Sequence, residues 1–376
     1  MIPKRVLIVT GDFVLTGGMD RANYALADYL ARQGSHVELV AYRVAPELTS
    51  YPNVTHHRVS KPANSYLLGT NLLYREGRRR AEAIARLGGR VIVNGGNCLF
   101  GDINWVHYLH AAYQPETRTF LRRLKQKLER PGLLRAEQRI LAMAKLVIAN
   151  SNATRDILIN KLGLLADRVR TVYYGIDANR FRFANQGERE ELRRKFGWDD
   201  SPRIVFVGAL GDRRKGFDTV AAAWSVLCER GGWDAKLVVI GSGADQIYWK
   251  NHLQQQGCGD SFEFLGFRSD VPDLLRAADC LVAPTRYEAY GLGVHEAICS
   301  GLPAYVSRDS GVAERYPENL SEFLLASPDD ANELANKLQH WRTHVTECSM
   351  RVRQLSESLQ SHSWDRMAAE MVEMID

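Results

Sequence analysis

The feature that most constrains the fold of this chain is an alternation of short apolar runs with helix-like segments, which occurs twice. The first series includes the apolar runs 5–10, 36–41 and 91–94, and a second series begins at residue 204. Strands that alternate with helices predict a parallel sheet covered by helices. The polar stretch 182–202 between the two series predicts a domain junction. We therefore predict two α/β domains, each with a doubly wound parallel sheet.

A chain of 376 residues has the length of two ordinary domains. We predict an N-terminal domain over residues 1–185 and a C-terminal domain over residues 186–360. Residues 361–376 predict an amphipathic helix, whose apolar face we expect to pack on the N-terminal domain. No apolar run reaches the roughly 20 residues of a membrane-spanning helix. The N-terminal apolar run lacks a signal-peptide cleavage pattern and is interpreted as the first strand.

Charge is unevenly distributed along the chain. Residues 1–184 hold 28 Lys and Arg against 14 Asp and Glu, a balance of +14, whereas residues 185–376 hold 21 against 30, a balance of −9. A basic half indicates an anionic partner surface. The six cysteines have no C-x-x-C spacing, which argues against a zinc site or a disulfide framework and favours a cytoplasmic location.

The segment 284–297, with the sequence PTRYEAYGLGVHEA, carries the strongest chemical signal. It follows an apolar run, and its glycines stand where a helix begins. Main-chain N–H groups at a helix amino terminus form a site for phosphate. Glu288 and Glu296 stand on either side of this turn, where their carboxylates can accept sugar hydroxyls. Exposed charges without a ligand are the alternative interpretation.

A second turn, 208–216, has the sequence GALGDRRKG and also follows an apolar run. Adjacent cations that open a helix predict contacts to phosphates, although solvated loop charges produce the same pattern. Such cations stabilise negative charge that develops on a leaving phosphate. No Asp-x-Asp sequence occurs at a strand end, so no metal ion is expected.

With its flanks, PTRYEAYGLGVHEAICSGLP, the E-x7-E spacing of Glu288 and Glu296 gives the whole chain a resemblance to the retaining glycosyltransferases of family 4. That family has the GT-B fold, in which two Rossmann-like domains face a central cleft. The resemblance implies transfer of a hexose from a UDP- or GDP-sugar to a hydroxyl of a glycan or lipid-linked acceptor, with no cofactor. It also implies that Glu288 contacts the donor sugar and that Glu296 contacts the ribose.

The same resemblance implies where the diphosphate is held. Main-chain amides near Tyr290, Gly291 and Leu292 belong to one contact region, and the turn that begins at Gly208 belongs to the other. Many family members read G-R-L-x-x-x-K-G there, whereas this chain has Ala209 in place of the arginine and one extra residue before the lysine. We therefore predict that Arg214 and Lys215 bind the pyrophosphate and stabilise the charge of the leaving group. Arg213 is the reserve candidate for this role.

In the first domain, Gly17 and Gly18 follow the first apolar run, and the resemblance implies a Gly-Gly loop against the diphosphate and the acceptor. Ordinary turn glycines are the alternative. His107 and His110 lie in the segment 105–110, at the end of an apolar run, where two-residue alternation places them on opposite faces. The resemblance implies a catalytic histidine near the donor sugar, for which His110 matches best and His107 is second.

Residues 118–145 contain nine Lys and Arg against Glu129 and Glu137, a local charge of +7 with leucines interleaved. This pattern predicts docking on an anionic membrane, which would place the protein at the inner face of the plasma membrane. A solvated basic helix, or a surface for a soluble anionic glycan, is the alternative. Pro131-Gly132 is expected to break the helix, and nucleic acid is not an expected partner.

Two other function classes fit the same scaffold. A nucleotide-sugar epimerase would use the same donor contacts without an acceptor, so dependence on an acceptor distinguishes it. A non-enzymatic module that binds an anionic surface would not need Glu288 and Glu296. A nicotinamide oxidoreductase is disfavoured because the first turn lacks the spaced glycines of the dinucleotide fingerprint.

Overall fold

The computed structural model describes residues 2–62, 66–117 and 120–375. The chain forms two units, and each is described by itself. Unit 1 comprises residues 1–112, 128–175 and 362–376, and unit 2 comprises residues 113–127 and 176–361.

Within the described residues, the strands are β1 (Arg5–Val9), β2 (Asp12–Phe13), β3 (His36–Ala41), β4 (Arg43–Val44), β5 (Val54–Arg58), β6 (Arg90–Asn94), β7 (Ile103–Val106), β8 (Leu146–Ala149), β9 (Val169–Thr171), β10 (Arg203–Val207), β11 (Lys236–Ile240), β12 (Phe262–Gly266), β13 (Cys280–Ala283), β14 (Ala304–Ser307) and β15 (Leu324–Leu325). The α-helices are α1 (Gly18–Arg32), α2 (Pro46–Thr49), α3 (Tyr66–Arg86), α4 (Phe120–Met143), α5 (Asn152–Asp156), α6 (Gln186–Lys195), α7 (Phe217–Arg230), α8 (Gln246–Gln255), α9 (Val271–Ala277), α10 (Leu292–Cys299), α11 (Ala331–Thr343), α12 (Val345–Arg351), α13 (Arg353–Gln360) and α14 (Trp364–Ile375). A π-helical turn, Ile157–Lys161, extends α5.

Unit 1 is built on a parallel sheet with the strand order β5-β3-β1-β6-β7-β8-β9. All but the first residue of β1 and of β6 are buried, as expected where helices cover both faces of a parallel sheet. Helix α14 packs on α1 and buries an apolar stripe that includes Met367, Met371 and Ile375. Arg32 and Asp365 form an ion pair between the two helices at 2.5 Å.

Unit 2 is built on a second parallel sheet, with the order β12-β11-β10-β13-β14-β15. After β10 the chain adds β11 and β12 on one side, and it then returns to add β13 against the other side of β10. The carboxyl ends of β10 and β13 are therefore the point where the strand order reverses. In open α/β sheets this is the position of ligand sites.

Three details differ from the sequence-based expectations. The first unit gives way to the second after Gly175 rather than at 185, and residues 113–127 belong to unit 2. Strand β7 ends at Val106, so the alternation argued for His107 and His110 does not apply to them. Helix α4 continues through Pro131, whose missing N–H removes the hydrogen bond that the carbonyl of Lys127, an exposed residue, would otherwise accept.

No helix of the described ranges combines the length and apolarity needed to cross a bilayer.

The close approach of two turns in unit 2 yields a stability prediction. Gly216 has φ +71°, and a Cβ there would lie 1.8 Å from the carbonyl oxygen of Pro284. Gly257 has nearly the same φ, +72°, but its added Cβ would meet nothing within 4 Å. Alanine at position 257 should cost about 1–2 kcal/mol of unfolding free energy for the left-handed backbone alone. At position 216 the cost should be roughly 2–5 kcal/mol, because the overlap is added.

Urea unfolding of Gly216→Ala and Gly257→Ala measures both costs. Equal losses of unfolding free energy in the two variants would show that the overlap of residue 216 with the Pro284 carbonyl is relieved at no cost in stability.

Candidate functional site

The candidate site of unit 2 lies where the turns after β10 and β13 meet. Asp212 caps a short 3-10 helix, Arg213–Lys215, by accepting a hydrogen bond from the main-chain N of Arg214 at 2.7 Å. Gly208 is anchored to β11, since its N–H donates to the carbonyl of Ile240 at 2.9 Å. The turn is therefore held from both ends.

Lys215 and Arg214 both face the carboxylate of Glu288 on the turn after β13. Lys215 Nζ forms an ion pair with Glu288 Oε2, and Arg214 Nη1 lies 3.7 Å from the same oxygen. Arg214 Nη1 also donates to the carbonyl of Tyr287 at 3.3 Å. The structure thus brings together the two cations and the carboxylate that the sequence analysis selected. Lys215 and Glu288 are 73 positions apart in the sequence.

The charge state of Glu288 follows from these contacts. Burial raises the pKa of its carboxyl, but the charges of Lys215 and Arg214 lower it by more. The net pKa of Glu288 lies below its ordinary value, so the side chain is an anion at neutral pH. An anionic carboxylate accepts hydrogen bonds from hydroxyl groups.

The amino terminus of α10 completes this side of the site. Gly291 precedes the helix with φ +108°, and no side chain caps it. The first N–H groups of a helix have no acceptor within the helix and carry its positive dipole end. A recess at this point is lined by Lys215, Thr285, Glu288, Gly291 and Gly293 together with apolar side chains, among them Phe206, Leu281 and Val306. The helix terminus beside Lys215, rather than the recess as a whole, has the character of a phosphate site.

Two other predicted residues lie at α10. Tyr290 is buried, and its hydroxyl lies 2.7 Å from Nδ1 of His295. Glu296 is in the second turn of the helix and is 8% exposed. Leu292 is the first residue of α10. Their assigned contacts to diphosphate and ribose stay predictions.

Arg213, the reserve cation, is held by acidic partners rather than by Glu288. Its guanidinium donates to Asp218 at 2.7 Å and to Glu116 at 2.8 Å. Its main-chain N also donates to the carbonyl of Glu116 at 3.1 Å. The segment that contains Glu116 is thereby attached to the cation turn within unit 2.

The predicted residues of unit 1 lie in two other places. Gly17 has φ +83° and precedes α1, which begins at Gly18. The main-chain N–H of His110 donates to Glu137 Oε1 at 2.7 Å, and that of Ala111 donates to Oε2 at 2.9 Å. Burial lowers the pKa of His110 against the opposing effect of Glu137, which favours the neutral imidazole.

His107, the second candidate, is a buried neighbour of Tyr174. Its Nδ1 is hydrogen-bonded to the Tyr174 hydroxyl, and burial lowers the pKa of the imidazole to about 3. A neutral histidine packed in this way has the character of a structural residue.

Sequence reasoning missed two neighbours of Glu288. The Thr285 hydroxyl is buried at the recess, with no hydrogen-bond partner among the described residues. Arg286 contacts the cation turn, as described below. Both residues stand inside the segment 284–297, but nothing in the sequence separates them from ordinary turn residues. Across the part of the chain that the structure describes, no three His, Cys, Asp or Glu side chains are grouped as metal ligands.

Solved structures with the same architecture identify the fold. Sucrose-phosphate synthase from Thermosynechococcus elongatus superposes with a TM-score of 0.77 over 99% of this chain and 98% of that chain, at 21% identity. Alr3699/HepE from Anabaena, solved in complex with UDP-glucose, superposes with a TM-score of 0.73 over 99% of each chain, at 17% identity. These neighbours have the GT-B fold, which confirms the predicted fold class.

Family comparisons narrow the class. Residues 16–180 match the family described as Glycosyltransferase Family 4, and residues 188–349 match Glycosyl transferases group 1. The chain belongs to the family 4 glycosyltransferases.

Among its relatives, mannosylfructose-phosphate synthase from Agrobacterium fabrum is 31% identical over 199 residues, which are 50% of this chain and 43% of that protein. Three curated relatives are covered to 43%, 58% and 53% of their length, so the chain spans about half of each.

The lowered pKa of Glu288 yields a prediction about stability and pH. A carboxyl whose pKa is lower in the folded state stabilises the fold above its ordinary pKa, here 4.5, and loses that contribution as pH falls further. The unfolding free energy of wild type minus that of Glu288→Gln should stay constant from pH 7 to about 5.5 and shrink below pH 4.5.

Glu263 supplies a control of opposite sign, because burial raises its pKa despite the charge of Arg203. The difference for Glu263→Gln should move in favour of the wild type as pH falls. Urea unfolding from pH 7 to 3.5 measures both, and parallel curves would contradict the ion-pair assignment.

Proposed function

We propose that the protein transfers a hexose from a UDP- or GDP-sugar to a hydroxyl of a glycan or lipid-linked acceptor, with retention of anomeric configuration and without a metal ion. The observation that carries the proposal is the meeting of Lys215 and Arg214 with Glu288 at the amino end of α10. Two cations and a helix terminus suit a diphosphate, and an anionic carboxylate beside them suits sugar hydroxyls. The UDP-glucose complex of the structural neighbour HepE supports this class of donor.

The ion pair supports a specific order of events on donor binding. The diphosphate replaces Glu288 as the partner of Lys215 and Arg214, and the released carboxylate accepts hydroxyls of the sugar. When the bond to the sugar breaks, the two cations stabilise the charge that develops on the leaving phosphate. In this assignment Glu296 binds the ribose, and the amides at Gly291 and Leu292 bind the phosphates.

The remaining steps rest on the family resemblance. The acceptor hydroxyl attacks on the face that the diphosphate leaves, and a phosphate oxygen takes its proton, so that no enzymatic nucleophile is needed. Gly17, Gly18 and His110 of unit 1 are assigned to donor and acceptor contacts. The neutral imidazole favoured by burial fits hydrogen bonding by His110 rather than a fixed charge.

Turnover of a panel of UDP-, GDP- and ADP-sugars, with and without candidate acceptors, tests the function. Transfer should depend on the acceptor, continue in EDTA and yield the donor's anomeric configuration by NMR. Sugar interconversion without an acceptor would instead establish an epimerase. Loss of activity in EDTA with recovery in magnesium would overturn metal independence.

The exchange of partners at Lys215 predicts opposite effects of one substitution on two measurements. Glu288→Gln removes the competitor of the diphosphate, so binding of free UDP or GDP should become several-fold tighter while transfer falls at least about a hundredfold. Glu296→Gln is the comparison, since it should weaken nucleotide binding and transfer together. Calorimetric titration and a transfer assay measure these effects, and weaker nucleotide binding by Glu288→Gln would contradict the exchange.

We also propose that helix α4 attaches the protein to an anionic membrane. Leu124 and Leu128, one helical turn apart, are 47% and 74% exposed, and Leu133 is 45% exposed. Lys125 and Lys127 are exposed on the same helix. Exposed leucines among lysines suit an interface of acyl chains and acidic headgroups. Arg118 lies outside the described residues, as do the side chains of Phe120, Leu121 and Arg122.

Cosedimentation with vesicles of neutral lipid, with and without phosphatidylserine, tests this attachment. Binding should require the acidic lipid and fade with salt. Replacing Lys125 and Lys127 by Gln should weaken it by roughly thirtyfold, since each basic residue contributes about 1 kcal/mol. Replacing Arg78 and Arg79, exposed on α3, by Gln removes the same charge and should have a smaller effect. Equal effects of the two double substitutions would show that attachment depends on net charge alone and not on helix α4.

A further inference from the structure

Arg286 is the residue at which the turn after β13 is fastened to the cation turn after β10. Its main-chain N donates to the carbonyl of Arg214 at 2.8 Å, and its Nη1 donates to the carbonyl of Arg213 at 2.5 Å. The side chain is only 10% exposed. Both accepting carbonyls belong to the short helix that carries the phosphate-binding cations.

Two carboxylates hold the guanidinium in this position. Asp218, in the first turn of α7, accepts from Nη1 and from Nη2 at 2.8 Å each. Asp329 accepts from Nε at 2.9 Å. Asp218 also accepts from Arg213, so it joins both arginines. Burial raises the pKa of Asp218, and Arg286 and Arg213 lower it by more, which keeps the carboxylate charged.

We propose that Arg286 is a positioning residue for the donor diphosphate, which acts with Asp218 to hold the Arg214–Lys215 turn in its binding geometry. The inference rests on the proposed function and extends it to a residue that does not contact the ligand itself. Its donors are engaged by Asp218, Asp329 and the Arg213 carbonyl. A fixed turn binds more tightly because less ordering remains to be done on binding.

The role depends on the shape of the guanidinium and not only on its charge. Arginine presents several donors in a rigid plane, whereas lysine concentrates its charge and donors at one nitrogen. Arg286→Lys therefore keeps the positive charge while it loses the simultaneous contacts to Asp218, Asp329 and the Arg213 carbonyl.

Asp218→Asn separates positioning from simple electrostatics. This substitution makes the cation turn more positive, so an effect of charge alone would tighten diphosphate binding. Positioning predicts the reverse, because Arg286 and Arg213 lose their shared partner. Arg342 and Asp234 provide a matched control, since they form an ion pair with two hydrogen bonds, at 2.6 and 2.5 Å, elsewhere in unit 2.

Calorimetry with UDP, UMP, GDP and GMP tests the proposal on the full chain. For the base that the wild type prefers, Arg286→Lys and Asp218→Asn should each lower diphosphate affinity about tenfold and monophosphate affinity much less. Arg342→Lys and Asp234→Asn should leave both unchanged. Thermal unfolding of every variant checks that the fold is intact, and Asp218→Asn provides the answer if Arg286→Lys does not fold.

An unchanged preference for diphosphate in the variants, or tighter binding by Asp218→Asn, would overturn the positioning role while the proposed function stands. A wild type that binds neither UDP nor GDP would overturn the proposed function, and the inference with it. An equal loss of diphosphate and monophosphate affinity would show a general disturbance of unit 2 and would also refute positioning.

Discussion

The arrangement of the candidate site depends on the compensation of one buried carboxylate. Glu288 is largely removed from water, and an uncompensated anion there would cost several kcal/mol. Lys215 and Arg214 provide the opposite charge, which requires the turn after β10 to lie against the turn after β13. Gly216 permits that approach, because any side chain at its position would overlap the carbonyl of Pro284.

The same charge compensation determines which ligands are expected to fit the site. The three side chains carry a net charge of +1 while Glu288 is ionised. A diphosphate brings more negative charge than this cluster can match unless the carboxylate finds partners other than the cations. Hydroxyl groups of a sugar are such partners, so phosphate and sugar are expected to bind together better than either alone. Under the proposed function, a site with cations alone would hold a free nucleoside diphosphate more strongly than this one.

The sequence predicted those parts of the fold and site that local pattern determines. Alternating runs gave both parallel sheets, and the glycines and charges after β10 and β13 located the two turns. Contacts between residues distant in the sequence produce no such local pattern and could not be predicted from it. Three features depend on tertiary packing: the pairing of Lys215 with Glu288, the grouping of residues 113–127 with unit 2, and the early end of β7 at Val106. Periodicity in one segment contains no information on these.

The three consecutive cations of the turn show how local geometry divides equivalent residues into different roles. A 3-10 helix has three residues per turn, so the side chains at 213, 214 and 215 point about 120° apart. They cannot all face one carboxylate. Arg213 therefore meets Asp218 and Glu116, whereas Arg214 and Lys215 meet Glu288. The capping of this short helix by Asp212 fixes its first residue, and with it which arginine is directed to which side. A change in the start of the helix by one residue would rotate all three cations to new directions, so the identity of the pair that meets Glu288 rests on Asp212 as much as on the cations.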